Sequence, residues 1–157
     1  MLEIIKHPAP VLSSVALPVE IFDQSLSETI KDLAQAMYQG KGVGLAAPQV
    51  GLLKRIIVLD PAAEGYGLLS MINPIIESMS PERIVGNESC LSLPGITVAV
   101  PRSPLINVKY NDESGEIKSK MLVGLTACIV QHEIDHLDGI VILQRALRTS
   151  RKRVGKR

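Results

Sequence analysis

The segment CIVQHEIDHLDG, residues 128–139, decides how the fold of this 157-residue chain is interpreted, because it contains the spacing H-E-x-x-H. His132 and His136 are four residues apart, so on a helix both imidazoles lie on one face and reach the same ion. Glu133 then points towards the coordination sphere of that ion. Two protein ligands do not hold a catalytic metal, since three are usual. The segment therefore predicts a buried helix with two metal ligands, and a third ligand from elsewhere in the chain.

The third ligand is expected upstream, because residues 137–157 contain no His, Cys or Glu. The candidates are His7, Cys90, Cys128 and scattered carboxylates. Cys128 lies on the same predicted helix, where three ligands would line up instead of converging, so we interpret it as a small core or pocket residue. His7 stands beside prolines and is more typical of an exposed or structural histidine. Cys90 lies in a polar segment between predicted strands and is favoured, with an inert buried thiol as the alternative.

The composition indicates one globular domain with an aliphatic core. Apolar residues make up 46% of the chain, yet it has no Trp, one Phe and three Tyr. A chain of this length buries roughly two thirds of its unfolded surface, so we expect a single catalytic domain over residues 1–147. The scarcity of aromatic side chains argues against nucleic-acid recognition by base stacking.

Charge is balanced except at the C-terminus. The net charge is +1, but six of the last ten residues are Lys or Arg, so residues 148–157 form a basic tail. This tail is either a solvated end or a contact for nucleic acid. The N-terminus has charges and prolines where a secretion signal would be apolar, and no segment is long and apolar enough to span a membrane. We expect a cytoplasmic monomer with free thiols and no membrane partner.

Hydrophobic periodicity predicts two helices separated by short strands. Residues 25–42 have apolar residues at helical spacing, and Ser25 and Glu28 fit a capping box at its start. A second helix is expected from about Leu122 through the metal motif. β-Branched runs bounded by Gly, Pro and polar residues predict strands, with a hairpin turn at 111–116; these runs are 54–60, 71–78, 93–102 and 105–110. The predicted fold class is α+β, with short mixed or antiparallel strands around a central buried helix that carries H-E-x-x-H.

Three segments in this order resemble the three motifs of the peptide deformylases: GVGLAAPQVG (42–51), ESCLS (88–92) and QHEIDH (131–136). The resemblance covers nearly the whole chain, beginning with HPAPVL near the N-terminus. It implies a metal site of Cys90, His132 and His136 and N-formyl-methionyl peptides as substrate. It also implies Fe²⁺ as the native metal. One thiolate and two imidazoles also accept Zn²⁺ or Ni²⁺, so the residue types alone do not choose the metal.

The residues also predict how the reaction is catalysed. Glu133, adjacent to a ligand, is placed to take a proton from the attacking water and return it to the leaving amine. The resemblance implies that the side-chain amide of Gln49 and the backbone N–H of Leu91 stabilise the oxyanion. We expect Asp135 to form an ion pair, for which Arg102 is the candidate partner.

A further set of residues is expected to bind the substrate. Gly42 and Gly44 would let an extended peptide approach and pair with the backbone, and Ser89 would lie along its path. An apolar wall for the methionine side chain is expected from the following residues: Val43, Leu125 and Cys128.

Two positions depart from the family pattern. Ser89 stands where the family usually has Gly, and Thr97 stands where many members carry Arg. Both lie near the expected path of the peptide, so they affect substrate choice and leave the metal site intact. Three alternatives therefore stay open: a hydrolase for a different N-formyl substrate, a general zinc endopeptidase, and a non-catalytic relative that binds a ribosome or a peptide.

Overall fold

The computed structural model of the protein describes residues 1–62 and 65–149. It is an α+β fold with antiparallel sheets, as the sequence predicted. The helices are α1 (Gln24–Gln39), α2 (Gly124–Leu137) and the short α3 (Ile142–Arg145), with 3-10 turns at Pro10–Ser13 and Ala47–Val50. The strands are β1 (Gly44–Ala46), β2 (Ile56–Leu59), β3 (Leu69–Met79), β4 (Ile84–Cys90), β5 (Leu93–Arg102), β6 (Leu105–Asn111) and β7 (Ile117–Val123).

The strands form two sheets. A five-stranded sheet has the order β1-β2-β3-β6-β7, and β4 and β5 form a separate two-stranded sheet. Every pair of neighbouring strands is antiparallel. The turn predicted at 111–116 joins β6 to β7, where the Asp112 carboxylate accepts hydrogen bonds from the backbone of Ser114 and Glu116. That prediction is confirmed.

Strand β2 shows how the helices are held on the larger sheet. Ile56 and Val58 pack in one cluster with α1, whereas Ile57 and Leu59 pack in another with α2. Alternate side chains of a strand point to opposite faces, so β2 is covered on both sides. All four side chains are fully buried. Burial of each side chain contributes about 1.5–3 kcal/mol to the free energy of unfolding. These contacts fix both helices relative to the sheet.

Helix α2 is mostly buried, with ten of its fourteen residues in the protein interior. Its apolar side chains pack on strands β2, β3, β6 and β7. Gln131 tethers it to the connection before β6: the side-chain Oε1 accepts from Ser103 N at 3.1 Å, and Nε2 donates to Ser103 O at 2.8 Å. No helix in the described ranges is both long and apolar enough to cross a membrane.

Three local expectations were wrong. Helix α1 begins at Gln24 with Asp23 as its N-cap, whose carboxylate accepts from Leu26 N at 3.1 Å, so Ser25 is already inside the helix. The polar segment that leads to Cys90 was expected between strands, but it is part of strand β4 (Ile84–Cys90), because its backbone pairs with β5 despite poor strand formers in the sequence. Helix α2 begins at Gly124, two residues later than expected, because Leu122 still belongs to strand β7 (Ile117–Val123).

Candidate metal centre

Three candidate ligands converge at the end of β4. Cys90 is the last residue of that strand, and His132 and His136 project from one face of α2. One potential ligand atom from each residue lies within 4.8 Å of the other two. The Cys90 Sγ atom is 3.3 Å from Nε2 of His136. The sheet and the helix thus bring together residues that lie more than forty positions apart in the sequence.

The chemistry of this cluster fits a divalent transition metal. A thiolate and two imidazoles suit Zn²⁺ or Fe²⁺, and three protein ligands leave a coordination position for water or substrate. Burial, helped by the positive charges of His132 and Arg102, lowers the pKa of His136 to about 3, so its imidazole is neutral as a ligand must be. Among the described residues, two buried side-chain atoms have no hydrogen-bond partner, and both lie at this cluster: Nδ1 of His136 and Oε2 of Glu133.

Glu133 is a buried carboxyl group beside the two histidines. Its burial raises its pKa to about 7, although the charges of His132 and Arg102 act in the opposite direction. A group with this pKa can take up and release a proton near neutral pH, as a general base and acid must. The β1 backbone passes directly beside it, because a Cβ placed on Gly44 would lie 2.7 Å from Glu133 Oε1.

Glu88 is a functional residue that the sequence reasoning missed. Its Oε1 lies 2.9 Å from Nδ1 of His132, and its carboxylate also binds Arg102 at 2.9 and 3.0 Å. Burial alone would raise the pKa of Glu88, but the hydrogen bonds with His132 and Arg102 outweigh burial and lower it to about 2. A carboxylate on the second nitrogen of a ligating histidine fixes the ring and its tautomer. The sequence offered one signal for this role of Glu88. It lies two residues before Cys90, and residues at that spacing on a strand share a face.

The same contacts act on His132. Burial would lower the pKa of His132, but its hydrogen bonds with Cys90 and Glu88 raise it to about 10. Since Nδ1 faces Glu88, Nε2 is the nitrogen available to a metal. Metal binding at this nitrogen would release the imidazole proton.

The two candidate oxyanion donors lie next to the thiol. The Nε2 atom of Gln49 is 3.5 Å from Cys90 Sγ and 3.2 Å from Ser92 Oγ. Its Oε1 accepts from Ala46 N at 2.9 Å, so the amide is held with its donor towards the metal cluster. Leu91 directly follows Cys90 and contributes to the same wall.

A cavity of about 600 Å³ opens onto this cluster. One rim is the segment before β1, and the other is formed by β4, the turn after it and the start of α2. All six residues predicted to bind substrate line it: Gly42, Val43, Gly44, Ser89, Leu125 and Cys128. Sequence reasoning did not select several other lining residues, among them Ile4, Lys6, Lys41 and Ile129.

Ser89 and Thr97, the two departures from the family pattern, are cross-strand partners. Ser89 on β4 pairs with Thr97 on β5. Ser89 is in an extended strand, and the non-glycine residues with positive φ in the described chain are Lys41 and Asn73. Serine therefore occupies this position without backbone strain.

Other candidates lie elsewhere. His7 is exposed, and Cys128 lines the cavity wall instead of joining the three ligand atoms. Asp135 does pair with Arg102, with Nη1 of the arginine 2.7 Å from Oδ2 of the aspartate. Most of the basic tail, residues 150–157, lies outside the described residues.

Comparisons with known proteins agree on one family. The family model for polypeptide deformylase matches residues 1–152. A peptide deformylase from Thermotoga maritima is 46% identical over 136 residues, covering 87% of this chain and 81% of that protein. One from Hahella chejuensis is 37% identical over 156 residues, covering 99% of this chain and 93% of that protein.

Solved structures give the same result. The Thermotoga maritima peptide deformylase structure superimposes with a TM-score of 0.90 at 44% identity, covering 94% of this chain and 98% of that one. Peptide deformylase from Plasmodium falciparum superimposes with a TM-score of 0.93 at 35% identity, covering 98% and 91%. With this fold, these three converging ligands and these matches, the chain belongs to the polypeptide deformylase family.

Proposed function

We propose that this chain removes the N-formyl group from the N-terminal formyl-methionine of newly synthesised proteins. The observation that carries the proposal is the convergence of Cys90, His132 and His136 within 4.8 Å, at a cavity that also contains Glu133. Family membership supplies the reaction, since the matched relatives are metal-dependent peptide deformylases. The geometry supports the following proposed roles of individual residues.

The metal ligands are Cys90 Sγ and the Nε2 atoms of His132 and His136. When bound, the ion supplies a Lewis acid that lowers the pKa of a water molecule and polarises the formyl oxygen. We take Fe²⁺ as the native ion, and the same donors accept Zn²⁺ or Ni²⁺. Glu88 keeps Nδ1 of His132 occupied, so the ring presents Nε2 to the ion.

Glu133 moves the proton. Its carboxylate accepts a proton from the attacking water as the new C–O bond forms at the formyl carbon. It then delivers this proton to the amine nitrogen as the C–N bond breaks, and formate leaves. The raised pKa of Glu133, about 7, suits both transfers because neither form of the carboxyl is strongly favoured near neutral pH.

Gln49 and Leu91 stabilise the negative charge that develops on the formyl oxygen. Gln49 Nε2 donates from one side, held in place because its Oε1 is engaged by Ala46 N. The backbone N–H of Leu91 donates from the other. Two neutral donors fixed before the reaction stabilise the transition state without reorganisation.

The substrate lies along the glycine-rich rim. Gly42 and Gly44 admit an extended peptide close to the backbone. The methionine side chain contacts Val43, Leu125 and Cys128, which line the cavity. Ser89 faces the residues that follow methionine, and with Thr97 it sets preference along the peptide.

The remaining features follow from this role. Helix α2 is the central helix of a single catalytic domain, residues 1–147, and the chain acts as a monomer. The enzyme acts in the cytoplasm, where formylated chains emerge from the ribosome.

The basic tail, residues 148–157, contacts ribosomal RNA. Truncation after Leu147 would then weaken ribosome co-sedimentation at low salt without changing activity on free peptides, and unchanged co-sedimentation would reject this contact.

Formate release separates this function from its alternatives. Anaerobically purified protein should release formate from a formyl-Met tripeptide and should not cleave the same peptide when it is acetylated or unmodified. Cleavage of internal bonds in unformylated peptides would indicate a zinc endopeptidase. Formate release only from other N-formyl compounds would indicate a different substrate, and binding without turnover would indicate a non-catalytic relative.

A further inference from the structure

A continuous series of ion pairs runs from the surface to a metal ligand. In order, it joins Arg145, Asp135, Arg102, Glu88 and His132, and we call it the charge chain. Arg102 binds Glu88 with two hydrogen bonds, Nε to Oε2 at 2.9 Å and Nη2 to Oε1 at 3.0 Å. Glu88 Oε1 then reaches Nδ1 of His132 at 2.9 Å. The charge chain thus ends on the side of His132 that faces away from the metal position.

Asp135 holds the outer half of the charge chain. Its carboxylate binds two guanidinium groups: Arg102 Nη1 at 2.7 Å, and Arg145 Nε and Nη2 at 3.2 and 3.0 Å. The side chains of Arg102 and Asp135 are 6% and 11% exposed, so their contact is shielded from water. Arg145 is 48% exposed and lines a second cavity of about 370 Å³, which shares Arg102 and Asp135 in its wall.

The geometry of Arg102 links the two halves. Its planar guanidinium uses Nε and Nη2 for Glu88 and Nη1 for Asp135, so two carboxylates fix the orientation of one rigid plane. Without Asp135, the plane can pivot about its contacts with Glu88. Glu88 then gains freedom, and the hydrogen bond that orients the His132 ring loses its fixed acceptor.

We propose that Asp135 is a positioning residue for the metal centre, acting through Arg102 and Glu88 to hold the His132 imidazole with Nε2 towards the ion. Asp135 itself touches neither substrate nor metal. The proposal rests on the proposed function in one respect, since it takes Cys90, His132 and His136 as the ligands. A purely structural ion pair would tether α2 to β5 and leave metal affinity unchanged in the folded protein.

A matched pair of substitutions separates these two roles. Asp135→Asn removes the charge from the charge chain. Asp138→Asn is the control. Asp138 directly follows α2, three residues after Asp135, and its carboxylate pairs with Arg55 at 3.0 Å in the same second cavity. This pair has no link to His132. Asp135→Asn loses the ion pairs with Arg102 and Arg145, and Asp138→Asn loses the one with Arg55. Since both variants remove a carboxylate charge from α2 or its end, an effect confined to Asp135→Asn reports the charge chain.

The primary measurement is Co²⁺ affinity of the metal-free protein, by competition with a chromophoric chelator. Loss of a direct outer-shell partner of a metal-ligating histidine typically weakens metal binding by about 10–100-fold. Asp135 acts on His132 through Arg102 and Glu88, so we expect Asp135→Asn to weaken Co²⁺ binding by about 10-fold, the lower end of this range. Asp138→Asn should bind Co²⁺ as wild type does. The visible absorption bands of bound Co²⁺ should shift in Asp135→Asn only, because they report ligand geometry and not stability.

A double-mutant cycle tests the route. Arg102→Lys keeps the positive charge but lacks the planar guanidinium group, whose N–H donors bind both carboxylates. It should therefore weaken Co²⁺ binding as well. If Asp135 acts through Arg102, adding Asp135→Asn to Arg102→Lys should cost much less affinity than it does alone. Full additivity of the two losses would show that Asp135 acts by another route and would overturn the proposal.

The outcomes are distinct. Equal Co²⁺ affinity for wild type and Asp135→Asn overturns the positioning role and leaves the proposed function standing. Failure of wild type to bind Co²⁺ at all would instead refute the metal site. Asp135→Glu serves if the Asn variant does not fold: its longer side chain keeps the charge but displaces the carboxylate, so affinity should fall, and wild-type affinity would again overturn the proposal.

Discussion

A single methyl group at Gly44 should disable the enzyme by displacing Glu133. A Cβ placed on Gly44 would lie 2.7 Å from Glu133 Oε1 and 2.9 Å from Ile129 Cγ2. Ordinary van der Waals contact begins at 3.4 Å, so the carboxylate would have to move by about 0.7 Å. Glu133 is buried and Ile129 is packed in the core, and the open space that both border is the cavity at the metal cluster. The carboxylate can therefore relieve the overlap only by leaving its present position beside the candidate ligands.

The size of the effect follows from this displacement. A misplacement of about 1 Å in a reacting group can cost about 100-fold in rate, so Gly44→Ala should lower kcat/KM for a formyl-Met tripeptide by about that factor. Overpacking should also lower the free energy of unfolding by about 1–3 kcal/mol. Metal content should stay near wild type, because the three atoms nearest to the new methyl group belong to Glu133 and Ile129 and not to a candidate metal ligand.

Gly86→Ala is the matched control, since a Cβ at Gly86 on β4 meets nothing within 4 Å. Steady-state formate release, thermal unfolding and metal analysis of both variants test the reasoning. Gly86→Ala should behave as wild type in all three. Wild-type kcat/KM in folded Gly44→Ala would show that the position of Glu133 does not limit the reaction, and would refute the argument.

Three other predictions concern individual site residues. Glu133→Gln should keep the metal but lose about 10²–10⁴-fold in turnover, since the ligands remain while the proton carrier is gone; full activity would remove Glu133 from the mechanism. Cys90→Ala should lose metal in proportion to activity while Cys128→Ala keeps its metal, and metal analysis showing the reverse would reassign the third ligand. Ser89→Gly combined with Thr97→Arg should raise kcat/KM on longer formyl-Met peptides, and an unchanged length dependence would mean that this strand pair does not contact the substrate.

The sequence predicted the parts of the fold that depend on local pattern. Helical spacing placed His132 and His136 on one face of α2, and turn composition at 111–116 located the hairpin between β6 and β7. In both cases the side chains that define the structure lie within a few residues of one another. Local sequence patterns are therefore sufficient to predict this helix face and this turn.

Tertiary contacts explain what the sequence did not predict. Strand β4 contains Gly86 and Asn87, which are poor strand formers, and it is a strand because its backbone pairs with β5. The contact of Glu88 with His132 spans 44 residues and depends on how β4 packs against α2. No local pattern specifies such a contact, so the sequence predicted only one link of the charge chain, the ion pair of Asp135 with Arg102.

The central claim is that one metal ion, held by Cys90, His132 and His136, makes this chain a deformylase. The most direct test is an anaerobic titration of metal-free protein with Fe²⁺, following formate release from a formyl-Met tripeptide, alongside Cys90→Ala. We predict no activity without metal, a linear rise to a plateau at one equivalent for wild type, and no rise for the variant over the same range. Full activity of the metal-free protein, or a wild-type titration curve for Cys90→Ala, would contradict the claim.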